Sequence, residues 1–214
     1  VLWVTHAAAT EESQLSKVAG LVLAAGGGRR YGGPKALVSY EGRLLVERAV
    51  ETVRDGGCAP VVVVLGAAVD EVRARASIPD VVVAENRAWR SGMGSSLRVG
   101  LEALVPLDVV AAVVVLVDMP GISAEAVSRL AALADPAALA TASYDEGRRG
   151  HPVLIGRDHW SGVATLAMGD VGARPYLSAR AGQVQVVPCG DVADDADLDV
   201  PPEGETIGRH RRPE

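Results

Sequence analysis

Short, unbroken runs of Val, Leu and Ala recur along the chain at Val18 to Leu23, Pro60 to Leu65, Asp80 to Ala84, Ala111 to Val117, Leu139 to Ser143, Pro152 to Ile155 and Val184 to Val187. Runs of this length, rich in β-branched residues and without polar alternation, predict strands buried on both faces. Between them, the segments Leu44 to Arg54, Val69 to Ala76, Ser95 to Leu104, Ala124 to Ala134, Trp160 to Met168 and Ala173 to Ala181 carry apolar residues at helical spacing. Strand and helix alternate, and this predicts one α/β domain: a Rossmann-like three-layer sandwich around a mostly parallel sheet. The stretch Arg148 to Ile155 follows a turn signal at Asp145-Glu146-Gly147 and predicts an added hairpin. Residues 1–16 show no period and read as a disordered N-terminal extension. Residues 17–203 form the domain, and 204–214 read as a flexible tail.

Composition narrows the function classes. The 214 residues are 49% hydrophobic with 24 glycines, enough for one core. A formal net charge of -6 argues against a nucleic-acid surface, which needs a basic face. Cys58 and Cys189 are isolated, with neither metal-like spacing nor a disulfide framework. The apolar run from Val109 to Val117 is too short to span a bilayer and ends at Asp118. These features place the chain in the cytoplasm, away from membranes.

The candidate chemistry lies where strands end. The first run leads into Leu23-Ala24-Ala25-Gly26-Gly27-Gly28-Arg29-Arg30-Tyr31-Gly32-Gly33-Pro34-Lys35. Only two of the 21 basic residues are lysines, and Lys35 is one of them. A compact ammonium fits a crowded phosphate cradle that a planar guanidinium would not enter. The loop fails the Walker spacing, because Pro34 separates Gly33 from Lys35 and Ala36 follows in place of a hydroxyl. It fails the dinucleotide fingerprint too, since Tyr31 stands where the third glycine belongs. Asp118 follows seven apolar residues and so reaches the open end of a central strand, a position suited to holding Mg²⁺ against a triphosphate. Asp197 and Asp199 face the same way if extended, and one of them can complete a metal site; the acidic neighbours Asp191, Asp194 and Asp195 allow a merely solvated stretch instead. In Asn86-Arg87-Ala88-Trp89-Arg90-Ser91-Gly92-Met93-Gly94-Ser95-Ser96, glycines and serines lead into a helix whose free N–H groups favour an anion, such as an acceptor phosphate. The alternative is that Ser91 or Ser95 is an N-cap and Trp89 a core residue. His151 stands at the mouth of a strand as a pocket-lining residue. Arg174 either meets an anionic substrate or pairs with Asp170.

The pieces LAAGGGRRYGGPK, NRAWRSGMGSSL, LVDMP, RGHPVLI, GDVGAR and DLDVP occur in an order and spacing that resemble the MobA-like nucleotidyltransferases, in particular their molybdenum cofactor cytidylyltransferase branch. The resemblance covers residues 18 to 203 and implies the nucleotide-diphospho-sugar transferase type of fold. It implies nucleotide binding by Leu23, Ala24, Ala25, Gly26, Gly27, Gly28, Arg30, Lys35 and Asp118, with Lys35, Arg30 and Asp118 catalytic. Mg²⁺ would be held by Asp118 and Asp199, although Val200 and Pro202 depart from the family's late motif. Asn86, Trp89, Gly92, Met93, Ser96, His151 and Arg174 would face the acceptor. Ala25 stands where guanylyl-transferring relatives carry glycine, which leans toward CTP. The implied reaction joins a nucleoside monophosphate to the phosphate of a molybdopterin-type acceptor and releases pyrophosphate, with transient contact to a molybdoenzyme or its chaperone. The alternatives are a GTP-using or other small-phosphate nucleotidyltransferase, a nicotinamide- or flavin-using oxidoreductase, and a non-catalytic molybdenum cofactor chaperone.

Overall fold

The computed structural model describes residues 17–28 and 31–198. The expected extension over 1–16 and tail over 204–214 lie outside the described residues, as do Arg29, Arg30 and Asp199. The chain begins with β1 (Val18–Ala24), buried along its whole length. It continues through a small hairpin, β2 (Ser39–Tyr40) and β3 (Arg43–Leu44), into α1 (Leu45–Asp55), β4 (Val61–Leu65), α2 (Val69–Arg75) and β5 (Val81–Glu85). Then come α3 (Met93–Leu104), β6 (Ala111–Leu116), α4 (Ala124–Ala131), β7 (Leu139–Ser143), β8 (Arg149–Gly156), α5 (Trp160–Leu166), α6 (Arg174–Ala179) and β9 (Gln185–Pro188).

Seven strands form one sheet in the order β5-β4-β1-β6-β8-β7-β9. All pairings are parallel except those of β8, which runs against both β6 and β7. The hairpin expected over Arg148 to Ile155 is β7 turning into β8. The two-residue period of a strand explains the three layers. In β1, Val18, Val22 and Ala24 pack into the core under α1 and α4, where Val46, Val50, Val127 and Leu130 are buried. The alternate residues Ala19, Leu21 and Leu23 pack into a second core with Leu97 and Leu101 of α3 and Trp160 of α5. The result is the three-layer α/β sandwich that the alternation predicts.

Element limits moved where tertiary contacts decide them. The helix expected from Ser95 starts at Met93, because its first N–H groups find acceptors on a distant loop: Met93 N–H donates to Asp170 Oδ1 and Gly94 N–H to the Gly169 carbonyl. The helix expected to reach Ala134 stops at Ala131, after an N-cap in which Ser123 Oγ accepts from Ala126 N–H. Cys58 and Cys189 are free and buried, and burial pushes the Cys58 thiol up to about 12, so it stays protonated and acts as a core residue. No helix among the described residues is long and apolar enough to cross a membrane.

The core carries a direct stability test. Leu154 on β8 is fully buried in the cluster beneath α4. Leu154→Ala is expected to cost about 2–5 kcal/mol, the range for deleting a buried leucine and leaving a cavity. A urea titration showing less than about 1 kcal/mol would contradict the packing described here.

Candidate active site

The open end of the sheet is built where β1 and β6 stop side by side. Val117 N–H donates to the Leu23 carbonyl at 3.2 Å, so the loop after β1 and the residues after β6 leave the sheet together. The first loop folds back on itself: the Gly28 carbonyl accepts from Gly32 N–H at 2.9 Å and from Gly33 N–H at 3.2 Å. That turn delivers Lys35 to the end of β6, where its Nζ lies 2.9 Å from Asp118 Oδ2. Both side chains are mostly buried, at 15% and 25% exposure. Two residues 83 positions apart thus form one charged centre at the carboxyl edge of the sheet, the place where ligands bind in open α/β sheets.

A cleft of about 780 Å³ opens over this pair. One side is the glycine loop with Leu23, Ala25, Gly26, Gly27 and Gly28; the other is Trp89, Gly92, Met93 and Ser96. Trp89 links the sides, because a Cβ on Gly27 would fall 2.9 Å from its indole and a Cβ on Gly66 2.7 Å from its Cβ. Glycine at both positions lets the indole stand against the loop. Gly92 has φ +105°, and a Cβ there would meet the Gly169 carbonyl at 2.4 Å. Only glycine allows this approach of the loop to the start of α3.

The other anticipated residues are placed differently. Asn86 is buried and its amide is fully used: Nδ2 donates to Ser95 Oγ at 2.8 Å and to Ser96 Oγ at 3.0 Å, while Oδ1 accepts from Ala88 N–H at 2.9 Å. It acts on the cleft through Ser96, which it orients. Neither Ser91 nor Ser95 caps α3; Gly92 is its N-cap, with no side-chain bond. Ala24 is a buried strand residue. His151 sits beside β6, its Nδ1–H donating to the Val114 carbonyl at 3.2 Å. Arg174 is exposed on the first turn of α6 and is not among the residues lining the cleft. Of the two alternatives for Arg174, pairing with Asp170 is not formed: Asp170 Oδ1 instead accepts from Met93 N–H. Six further residues of the cleft wall, Tyr31, Arg90, Ser91, Leu116, Val117 and Asp170, lie outside the set of site residues expected from the sequence. Asp170 had a signal in its Gly-Asp-Val-Gly context; Arg90 had none beyond its neighbour Trp89.

Asp199 lies outside the described residues; the last of the described residues are bonded to the site. Leu198 N–H donates to the Asp118 carbonyl at 2.8 Å, and Asp194 N–H to the Gly121 carbonyl at 3.1 Å. Arg148 grips buried Asp195 with two bonds, at 2.7 and 2.6 Å, holding this segment against β8.

Burial holds the His151 imidazole below its ordinary range, outweighing the opposing effects of the Val114 carbonyl, Asp118 and Asp195. The unfolded chain therefore binds a proton that the folded one refuses. This contribution to stability is complete above the unfolded value near 6.5 and is lost as pH falls toward the depressed folded value. Between pH 7.5 and 5.5, His151→Gln is expected to reduce the drop in melting temperature by roughly 2–4 °C. Equal drops for the two proteins would remove His151 from the acid response.

A glycine loop, a lysine and a carboxylate converging at the carboxyl edge of such a sheet mark an α/β protein with its ligand cleft at the strand ends. Residues 20–184 match the MobA-like NTP transferase domain, and the chain belongs to that family. It is 40% identical over 195 residues to the nicotine blue oxidoreductase of Paenarthrobacter nicotinovorans, covering 88% of this chain and 95% of that protein. A shorter stretch of 41 residues is 51% identical to a probable molybdenum cofactor guanylyltransferase of Bacillus cytotoxicus, covering 19% of this chain and 21% of that one. The crystal structure of Rv0371c from Mycobacterium tuberculosis in complex with manganese superposes with a TM-score of 0.71 at 25% identity, over 85% of this chain and 94% of that one.

Proposed function

We propose that this chain is a divalent-metal-dependent nucleotidyltransferase that joins the nucleoside monophosphate of an NTP, CTP by preference, to the phosphate of a molybdopterin-type acceptor and releases pyrophosphate. The observation that carries the reading is the Lys35–Asp118 pair beneath the glycine loop. The acceptor phosphate attacks the α-phosphorus, the bond from the α-phosphorus to its bridging oxygen breaks, and pyrophosphate departs with the electron pair. A phosphate monoester with a second pKa near ~6 is already largely dianionic at neutral pH, so no general base is needed. The protein's work is then alignment and charge stabilisation. Gly26, Gly27 and Gly28 line the cleft and let the phosphates approach the backbone closely, and the Lys35 ammonium balances charge on the leaving pyrophosphate. Arg30 is assigned the same role from the sequence.

The Asp118 carboxylate is a hard oxygen donor at the mouth of the cleft, which fits Mg²⁺ or Mn²⁺. Among the described residues no group of three or more His, Cys, Asp or Glu forms a ready-made cage. Asp118 would supply one ligand, Asp199 is assigned a second, and phosphate oxygens and water suit the remaining positions. When bound, the cation would supply charge neutralisation for the nucleotide phosphates. The manganese complex of Rv0371c supports a divalent metal in this fold. The preference for CTP rests on Ala25, a nearly buried residue of the cleft lining that stands where the resemblance places glycine in guanylyl-transferring relatives.

The test is pyrophosphate release with CTP, GTP, ATP and UTP, each with and without molybdenum cofactor and Mg²⁺. Release that needs both cofactor and metal, and is fastest with CTP, is the expected result; GTP in first place would overturn the base assignment alone. A second reading is redox chemistry on a small heterocycle, favoured by the 40% identity to nicotine blue oxidoreductase over nearly its whole length. The same cleft would then hold a nicotinamide or flavin nucleotide. Visible absorbance of the purified protein, or NADPH oxidation without pyrophosphate release, would move the assignment to this reading. Pterin binding with neither activity would mark a carrier of the cofactor.

A further inference from the structure

The start of α3 is where the sequence leads one to expect an anion, yet the protein supplies its own. Asp170 Oδ1 accepts from Met93 N–H at 3.3 Å, and the Gly169 carbonyl accepts from Gly94 N–H at 2.7 Å. A phosphate brought to this point would meet a carboxylate already in place, and like charges at such separations repel. The acceptor end of the cleft is therefore acidic at α3. Its cation lies elsewhere: the Arg90 guanidinium stacks 4.3 Å from the centre of the Trp89 ring and lines the same cleft. Among the described residues no ion pair ties Arg90 to Asp170 or to another carboxylate. The cleft is thus lined by a carboxylate, an indole, a thioether and a guanidinium.

We propose that this wall is a polarised acceptor subsite, in which Asp170 takes adjacent N–H donors of a 2-amino-4-oxo heterocycle and Arg90 takes the phosphate attached to it. The assignment rests on the nucleotidyltransferase reading for its acceptor class. The amino-oxo edge of a pterin presents an exocyclic amine and a ring N–H side by side, a spacing that matches the two oxygens of a carboxylate. Asp170 is suited to this because Met93 N–H donates to its Oδ1 at 3.3 Å, which favours one orientation of the exposed carboxylate before a ligand arrives. Trp89 and Met93 offer an aromatic and a polarisable surface to the ring. Arg90, resting on the indole, has a planar fork for phosphate.

The test uses 6-hydroxymethylpterin and its monophosphate ester, with affinities read from pterin fluorescence. Wild-type protein is expected to bind the ester about tenfold more tightly than the alcohol. Arg90→Ala is expected to erase that preference. Asp170→Asn retains an oxygen for Met93 N–H, and it is expected to weaken both ligands about tenfold or more while keeping their ratio. Deleting the donor from the ligand avoids any question of folding: 6-hydroxymethyllumazine, with an oxo group replacing the 2-amino group, is expected to bind wild type about tenfold more weakly than the pterin. Equal binding of lumazine and pterin, or an Arg90→Ala protein that still prefers the ester, would overturn the subsite. Pyrophosphate release is scored separately. Nucleotidyl transfer with no pterin discrimination defeats the subsite alone, whereas pterin discrimination without pyrophosphate release defeats the transfer chemistry and leaves the subsite standing.

Discussion

Alanine at Lys35 or at Asp118 is expected to lower pyrophosphate release by about 10²-fold or more, the scale for removing one preorganised charge from a transition state. The two side chains meet at 2.9 Å across the ends of β1 and β6, and each is largely shielded from water. A charge held there acts on a phosphate through a weaker dielectric than bulk water, and it needs no reorganisation during the reaction. Asp118→Asn keeps the shape and removes the charge, so its loss reports electrostatics and metal affinity rather than packing. Lys35→Arg keeps the charge and changes the shape, and it too should impair turnover if the cradle selects a compact ammonium. Removing one member of a largely buried ion pair costs up to about 3–5 kcal/mol, so the alanine variants are expected to melt lower as well, and turnover is compared at a temperature where each remains folded. Wild-type turnover in Lys35→Arg would remove the shape argument. Wild-type turnover in Asp118→Ala would remove the centre itself.

The second large effect comes from a residue with no side chain. Gly28 has φ +54°, and a Cβ there would fall 1.9 Å from the Gly33 carbonyl oxygen, well inside contact distance. The same turn is closed by the bonds from Gly32 and Gly33 N–H to the Gly28 carbonyl. Gly28→Ala must therefore open the turn and displace Lys35 from Asp118. Nucleotide affinity is expected to fall about tenfold or more, since misplacing a group by an ångström costs orders of magnitude in aligned chemistry. The strain is confined to one loop, so the melting temperature should move by only a few degrees, roughly 1–2 kcal/mol. Calorimetric titration with CTP, beside a melting curve, separates the two effects. Unchanged CTP affinity would show that the loop does not bind the nucleotide.

Much of the fold was legible because its signals are local. Valine runs such as Val61–Leu65 and Ala111–Leu116 are strands in almost any setting that buries both faces, and amphipathic segments such as Leu45–Asp55 must lie on them. Lys35 and Asp118 were legible for a related reason. A glycine-rich turn after one strand and a carboxylate after another are both carried to the same edge of a parallel sheet, even though the residues are 83 positions apart. Asp170 was not legible in its role, because no local pattern says that it turns back to Met93, 77 positions earlier. The same holds for Asn86, whose amide is spent on Ser95 and Ser96 rather than left facing a ligand.

By itself, then, the sequence determined the layered α/β class, the β1 loop with its lysine, and the carboxylate at the end of β6, since each follows from periodicity or from position at a strand end. Only the tertiary structure decided that Lys35 and Asp118 touch, that the hairpin strand β8 inserts antiparallel beside β6, and which charges line the acceptor side. The last of these depends on long-range approach permitted by particular glycines: Gly27 against Trp89, and Gly92 against Gly169. Hydrogen bonds formed across such contacts redirect polar groups in ways that no short stretch of chain encodes. Asp170 at the head of α3 is the case with the largest consequence, because it turns an expected phosphate site into a carboxylate wall.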